Sequence, residues 1–106
     1  MSSKIALITG ASKGIGRSCV YQLAKLGFHI AIHYRSNEEE AKQLAEEVGN
    51  AKIFQADLSQ EDQCHNLFKD VKKEYGTLDV LINNAGTTID KLLPFTKPED
   101  FDSLIN

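Results

Sequence analysis

Short apolar runs alternate along this chain with stretches whose apolar residues recur every three or four positions. Residues 4–9 form an apolar run that stops at Gly10, as expected of a strand buried on both faces. Ile15, Cys19, Leu23 and Leu26 then fall at helical spacing, and Gly27 ends that helix. Residues 28–33 are a second apolar run, bounded by Tyr34-Arg35-Ser36-Asn37. Asn37 is placed to cap the next helix, where Glu38, Glu39 and Glu40 set negative charge against the positive end of its dipole. Ala41, Leu44, Ala45 and Val48 give that helix an apolar face, and Gly49-Asn50 stops it.

The alternation continues. Residues 52–56 predict a third strand, and Ser59 predicts the N-cap of a third helix, with Asp62 three residues on as a weaker capping box. The stripe of that helix is Cys64, Leu67, Phe68, Val71 and Tyr75, closed by Gly76. Residues 79–83 predict a fourth strand, residues 85–97 a loop, and Pro98-Glu99-Asp100 the opening of a fourth helix. Strands alternating with amphipathic helices imply right-handed crossovers and a parallel sheet covered on both faces. The expected fold class is α/β: a Rossmann-type doubly wound sheet with strand order 3-2-1-4, residues 1–106 forming the N-terminal part of a single domain. Val80-Leu81-Ile82 has the apolar character of a central strand, so the sheet is expected to be incomplete, with an unpaired edge.

The first strand-to-helix turn carries three glycines, in Thr9-Gly10-Ala11-Ser12-Lys13-Gly14-Ile15-Gly16. A dinucleotide's pyrophosphate must come close to backbone N–H groups at a helix N-terminus, and a Cβ at Gly14 or Gly16 would obstruct that approach or the packing of helix on strand. Gly10 supplies the turn. The alternative is a tight glycine-rich turn that holds no ligand. No Gly-Lys-Ser/Thr follows the loop, so ATP binding in the P-loop manner is not expected.

The spacing is G-x-x-x-G-x-G. Together with Asp57-Leu58-Ser59 after the third strand and Asn83-Asn84-Ala85-Gly86 after the fourth, it resembles the short-chain dehydrogenase/reductase family over essentially the whole chain. The resemblance implies that Gly10, Ser12, Lys13, Gly14, Ile15 and Gly16 surround the pyrophosphate and adenosine ribose of a nicotinamide cofactor. It implies that the Asp57 carboxylate accepts from the adenine amino group, with Leu58 near the ring, though Asp57 also fits a simple turn aspartate. Asn84 would meet the nicotinamide-side ribose, Asn83 would brace neighbouring backbone, and Ala85-Gly86 would leave room for the cofactor. NAD enzymes place an acidic residue at the end of the second strand, whereas this chain has Tyr34 and then Arg35. A carboxylate there would repel the 2′-phosphate of NADP, and an arginine grips it in fork geometry. Lys13 adds a second cation, so NADP is the expected cofactor; the alternative leaves both as solvated surface charges.

Gly86-Thr87-Thr88-Ile89-Asp90-Lys91-Leu92-Leu93 is similar to a loop of bacterial 3-oxoacyl-[acyl-carrier-protein] reductases, with Ile89 and Phe95 where those enzymes often carry arginines. The resemblance implies an NADPH-dependent carbonyl reductase of fatty acid biosynthesis, acting on a small-molecule or acyl-carrier-protein-linked substrate and forming a homo-oligomer at full length. A sugar or small-alcohol dehydrogenase, or a non-catalytic NADP-binding module, stays open. In the family a Ser-Tyr-Lys set with an Asn performs the chemistry. Tyr21 and Lys25 share its Tyr-x-x-x-Lys spacing but fall on the first helix, and Asn106 precedes the expected place of the Asn. No catalytic residue is therefore assigned. The chain reads as the N-terminal, cofactor-binding part of a domain about twice its length, inactive in isolation.

Charge and cysteine content narrow this further. Twelve Lys+Arg against 15 Asp+Glu give a net charge of -3, against general affinity for nucleic acid or anionic membrane. Cys19, Cys64, His29, His33 and His65 lack metal-ligand spacing, and two buried thiols in a reducing cytoplasm are the expectation. No signal peptide or membrane-spanning run is read in the sequence.

Overall fold

The computed structural model describes residues 4–11 and 14–84. Four strands and three helices alternate: β1 (Ile5–Thr9), α1 (Gly14–Lys25), β2 (His29–Tyr34), α2 (Glu38–Val48), β3 (Ala51–Gln55), α3 (Glu61–Tyr75) and β4 (Val80–Asn83). All pairings are parallel and the order is β3-β2-β1-β4. This is the doubly wound sheet expected from the sequence. The expected loop at 85–97 and the helix opening at Pro98 lie outside the described residues.

Period-two alternation distributes the strand side chains between two cores. Ile5 and Leu7 of β1, Ala31 of β2 and Leu81 of β4 pack with Cys64, Leu67 and Val71 of α3. Ala6, Ile8, Ile30, Ile32 and Val80 pack on the other face with Val20 of α1 and with Ala41 and Leu44 of α2. Burial on both faces explains why β1 is an unbroken apolar run instead of an apolar–polar alternation. Asp79 pins the register of β1 against β4 at the entry edge. Its Oδ2 accepts from Ile5 N–H at 2.8 Å, and its own N–H donates to the Ile5 carbonyl at 2.9 Å.

Local chemistry sets the helix ends. Asn37 Oδ1 accepts from Glu40 N–H at 3.1 Å, and Asn37 Nδ2 donates to Glu40 Oε1 at 2.6 Å, a reciprocal cap as anticipated. The α3 start differs from expectation. Gln60 is its N-cap, without a side-chain bond, while Ser59 turns back to donate from both N–H and Oγ to Asp57 Oδ1. An ionised carboxylate within one turn is a stronger partner than the amides a serine would otherwise cap. The α1 stripe is also narrower than its spacing suggests. Gly16 and Val20 are buried, but Ile15 is 75% exposed and Leu26 74%. Ile15 sits in the opening turn, and Leu26 lies beyond the last helical residue, Lys25. Cys64 is buried, whereas Cys19 is only half-buried, so one of the two expected buried thiols lies partly open.

Tyr75 closes α3 beside His29 and Phe54, with ring centroids 6.2 and 6.4 Å away. Its hydroxyl is buried without a hydrogen-bond partner, and burial pushes its pKa up to about 12. A buried polar group left unpaired costs on the order of 1–3 kcal/mol. Tyr75→Phe is therefore expected to raise the unfolding free energy by about 1 kcal/mol in urea denaturation. A loss of stability would show that the hydroxyl has a partner.

Candidate functional site

The exit edge of the sheet, where all four strands end, gathers the polar residues that the strands themselves lack. Gly10 follows β1, Arg35 follows β2, Asp57 lies just past β3, and Asn84 follows β4. The chain winds outward from β1 to β3 on one side and returns to β4 on the other, so the β1/β4 boundary is the topological switch point. Ligands of open parallel sheets bind at that boundary, outside the carboxyl ends of the strands.

The switch point is built around the backbone of Gly10. Gly10 stands at φ +60°, a conformation open to glycine at little cost. Its carbonyl accepts from Asn84 Nδ2 at 3.0 Å, joining β1 to β4. Its N–H donates to His33 Nδ1 at 3.0 Å, joining β1 to β2. The next amide, Ala11 N–H, donates to the His33 carbonyl at 3.2 Å. Thr9 Oγ1 donates to Asn83 Oδ1 at 3.1 Å beneath the turn. Asn83 thus meets the Thr9 hydroxyl, and the Asn84 amide grips the backbone of Gly10.

Gly16 is the second fixed point. A Cβ there would lie 2.6 Å from Asn84 Nδ2, 2.7 Å from Gly10 O and 3.0 Å from Ala11 Cα. The absent side chain lets α1 descend onto the Gly10–Asn84 bond. Gly14, at φ +55°, opens the helix, and a Cβ built on it would meet nothing within 4 Å. The first turn of α1 contains no acidic residue. The amides that open a helix lack intrahelical acceptors, so those of Gly14, Ile15 and Gly16 form the positive end of the α1 dipole. Ser12 and Lys13 lie outside the described residues, as do Ala85 and Gly86.

On the far side of β2 stands a pair of opposite charges. Arg35 Nη2 lies 3.9 Å from Asp57 Oδ2, with the arginine side chain 73% exposed and the aspartate 28%. Asp57 Oδ1 is engaged by the Ser59 hydroxyl at 2.7 Å and Ser59 N–H at 3.0 Å. These two hydrogen bonds, with the Arg35 charge adding to them, hold the Asp57 carboxyl below its ordinary value. Gln63 Oε1 accepts from Asp57 N–H at 2.7 Å and fixes the corner. Leu58 is buried in the core on the α3 face, so its side chain is not on the rim with the others.

Two participants were not singled out from the sequence, His33 and Gln63. His33 is buried at the end of β2. Its Nδ1 accepts from Gly10 N–H and its Nε2 lies 2.8 Å from the Ala56 carbonyl, a pair of partners that calls for the neutral Nε2–H tautomer. Burial lowers its pKa, partly opposed by the bond to Ala56. The available signal was a polar side chain near the end of an apolar strand, on the same strand face as Ala31. Tyr21, by contrast, lies away from the site. Its hydroxyl donates to Glu47 of α2 at 2.5 Å and accepts from Arg17 at 3.2 Å, so Tyr21 belongs to a helix–helix contact.

A glycine-walled turn at the switch point of a doubly wound parallel sheet defines the dinucleotide-binding class of α/β folds. The chain belongs to the short-chain dehydrogenase family, which it matches over residues 4–106. It is 40% identical over 108 residues to the 3-oxoacyl-[acyl-carrier-protein] reductase FabG of Staphylococcus aureus, covering 98% of this chain and 44% of that protein. Identity to the hydroxynaphthalene reductase-like protein Arp2 of Metarhizium robertsii is 31%, over 100% of this chain and 41% of that one. A provisionally assigned 3-oxoacyl-reductase of known structure from Bacillus thuringiensis superimposes with a TM-score of 0.75 at 27% identity, covering 80% of this chain and 37% of its own. The chain thus spans less than half the length of these relatives.

The clamp around Gly10 can be tested in two ways. Gly16→Ala forces apart the Gly10–Asn84 contact and is expected to lower the unfolding free energy by about 1–3 kcal/mol in denaturant titrations. An unchanged midpoint would mean that α1 can lift without cost. The second test uses acid. His33 has a folded pKa below its ordinary 6.5, so its stabilising contribution is complete above 6.5 and is lost as pH falls through the lower folded value. His33→Asn should flatten the decline in melting temperature that begins below about 6.5, leaving only the carboxylate-linked loss at lower pH. Parallel pH curves for the two proteins would refute it.

Proposed function

We propose that this chain carries the NADP(H)-binding part of a carbonyl reductase. The observation that carries the reading is the exposed Arg35 guanidinium beside Asp57 at the end of β2. An enzyme using NAD places a carboxylate there to bind both ribose hydroxyls. A guanidinium at that point suits the 2′-phosphate, and Asp57 next to it offers an acceptor for the adenine amino group.

The remaining residues fit the rest of the cofactor. The opening amides of α1 would receive the pyrophosphate, and the space above Gly14 leaves room for its close approach. Gly10 has both backbone polar groups engaged within the protein, so its part is to shape the turn. Lys13 would add a second positive charge, Ile15 would flank the adenosine end, Leu58 would take part only through its backbone because its side chain is in the core, and Asn84 with Ala85 and Gly86 would serve the nicotinamide ribose. When bound, NADPH supplies the hydride. The part of these side chains and amides is to bind and orient it; the family's Ser-Tyr-Lys set has no counterpart among these 106 residues.

For the substrate, we infer a 3-oxoacyl thioester carried by acyl carrier protein, reduced to the 3-hydroxyacyl form. The FabG relatives at 40% and 38% identity support this, as does the Asp90 and Leu92-Leu93 pattern. A second reading, a reductase of free ketones, is favoured by Ile89 and Phe95 and by the hydroxynaphthalene reductase-like relative. Turnover of 3-oxoacyl thioester against free ketone, with the protein purified from its native source, separates the two.

Equilibrium titration tests the cofactor. The chain is expected to bind NADPH more tightly than NADH, without oxidising it. Arg35→Ala should raise the NADPH dissociation constant roughly 10–100-fold, the range of one or two charge-assisted hydrogen bonds, while leaving NADH within about twofold. Equal loss of both cofactors, or a wild-type preference for NADH, would sink the NADP reading.

A further inference from the structure

His33 touches two corners of the site, at Gly10 and at Ala56. Its Nδ1 holds Gly10 N–H at 3.0 Å, and its Nε2–H donates to the Ala56 carbonyl at 2.8 Å. Its carbonyl also accepts from Ala11 N–H at 3.2 Å. Gly10 leads into the turn that faces a phosphate, and Ala56 precedes Asp57 at the adenosine corner. A neutral imidazole is rigid and presents one acceptor and one donor at a fixed separation. It can therefore set the distance between those corners in a way that a flexible side chain cannot.

We propose that His33 is a positioning residue for the dinucleotide, with Nδ1 setting the phosphate-facing turn and Nε2–H tying that turn to the Ala56–Asp57 corner. The inference rests on the NADP reading above. It assigns the two ring nitrogens separable tasks. Loss of the Nδ1 contact frees the Gly10 N–H and loosens the turn ahead of α1, although the His33 carbonyl still holds Ala11 N–H. Loss of the Nε2 contact alone leaves the turn in place.

Side chains that imitate one nitrogen at a time provide the test. In His33→Asn an amide oxygen stands near the place of Nδ1 and can accept from Gly10. In His33→Gln the terminal amide stands near the place of Nε2 and can donate to Ala56, but nothing accepts from Gly10. Binding of NADPH and of adenosine 2′-monophosphate, which lacks the pyrophosphate, is measured for wild type and both variants below their melting temperatures. His33→Gln is expected to weaken NADPH about tenfold, the usual worth of one hydrogen bond, and adenosine 2′-monophosphate less than about twofold. His33→Asn should hold NADPH within about threefold of wild type. Wild type that binds NADPH while both variants match it, or a His33→Gln loss equal for the two ligands, would overturn the positioning role and leave the cofactor reading standing. Wild type that binds no NADPH would overturn both. Should His33→Gln fail to fold, wild-type nitrogen NMR answers the question. A coupling across Gly10 N–H···Nδ1 that persists and shifts on NADPH binding supports the role, and no response at either atom refutes it.

Discussion

The peptide units around Gly10 are clamped from both sides, and the rest of the exit edge follows from that clamp. A strand buried on both faces has no spare polar group inside the sheet, so its backbone must find partners where the sheet ends. Asn84 takes the Gly10 carbonyl and His33 takes its N–H, from strands on opposite flanks of β1. With both groups committed, φ is held positive and the chain leaves β1 in one direction only. Gly16 then completes the corner, since any side chain there would collide with the bond between Asn84 and Gly10. The start of α1, its angle to the sheet and the open space over Gly14 are consequences of these few contacts.

Electrostatics then separates two helices that are otherwise alike. Both α1 and α2 follow strands of the same sheet and pack on the same face. The first turn of α2 carries Glu38, Glu39 and Glu40 and is capped by Asn37, so the chain itself satisfies its positive end. The first turn of α1 carries no acid. The positive end of a helix dipole favours an anion. The acids at 38–40 supply that charge to α2 from within the chain, and the first turn of α1 has no such acid.

Most of the fold was legible because its signals are local and repeated. Apolar runs and helical stripes gave every described strand within a residue of its observed ends, and alternation gave the order β3-β2-β1-β4. The misplacements share a cause, which is competition between partners that linear spacing does not rank. Ser59 had two partners within reach, the first amides of α3 and the Asp57 carboxylate, and the charge prevailed. Ile15 matches the apolar period of α1, but it stands in the opening turn, where the sheet has already ended. The motif residues of the site were visible as motifs. His33 was not, because its role exists only once β1, β2 and β3 lie side by side and bring Gly10 and Ala56 to its two nitrogens.

Asp57 divides its two carboxylate oxygens between a structural task and the rim of the site. Its Oδ1 receives the Ser59 hydroxyl and amide, which is the turn aspartate that spacing alone would suggest. Its Oδ2 faces outward to Arg35 at 3.9 Å, too long for a committed hydrogen bond. The bonds to the first oxygen orient the carboxylate and favour its ionised form, and the second oxygen faces the Arg35 charge. Arg35 is likewise attracted without being locked, and most of its side chain stays in solvent. An exposed pair of this kind contributes little to stability. Keeping both charges together at the rim therefore fits a ligand that offers a donor and an anionic group side by side better than it fits a role in holding the fold.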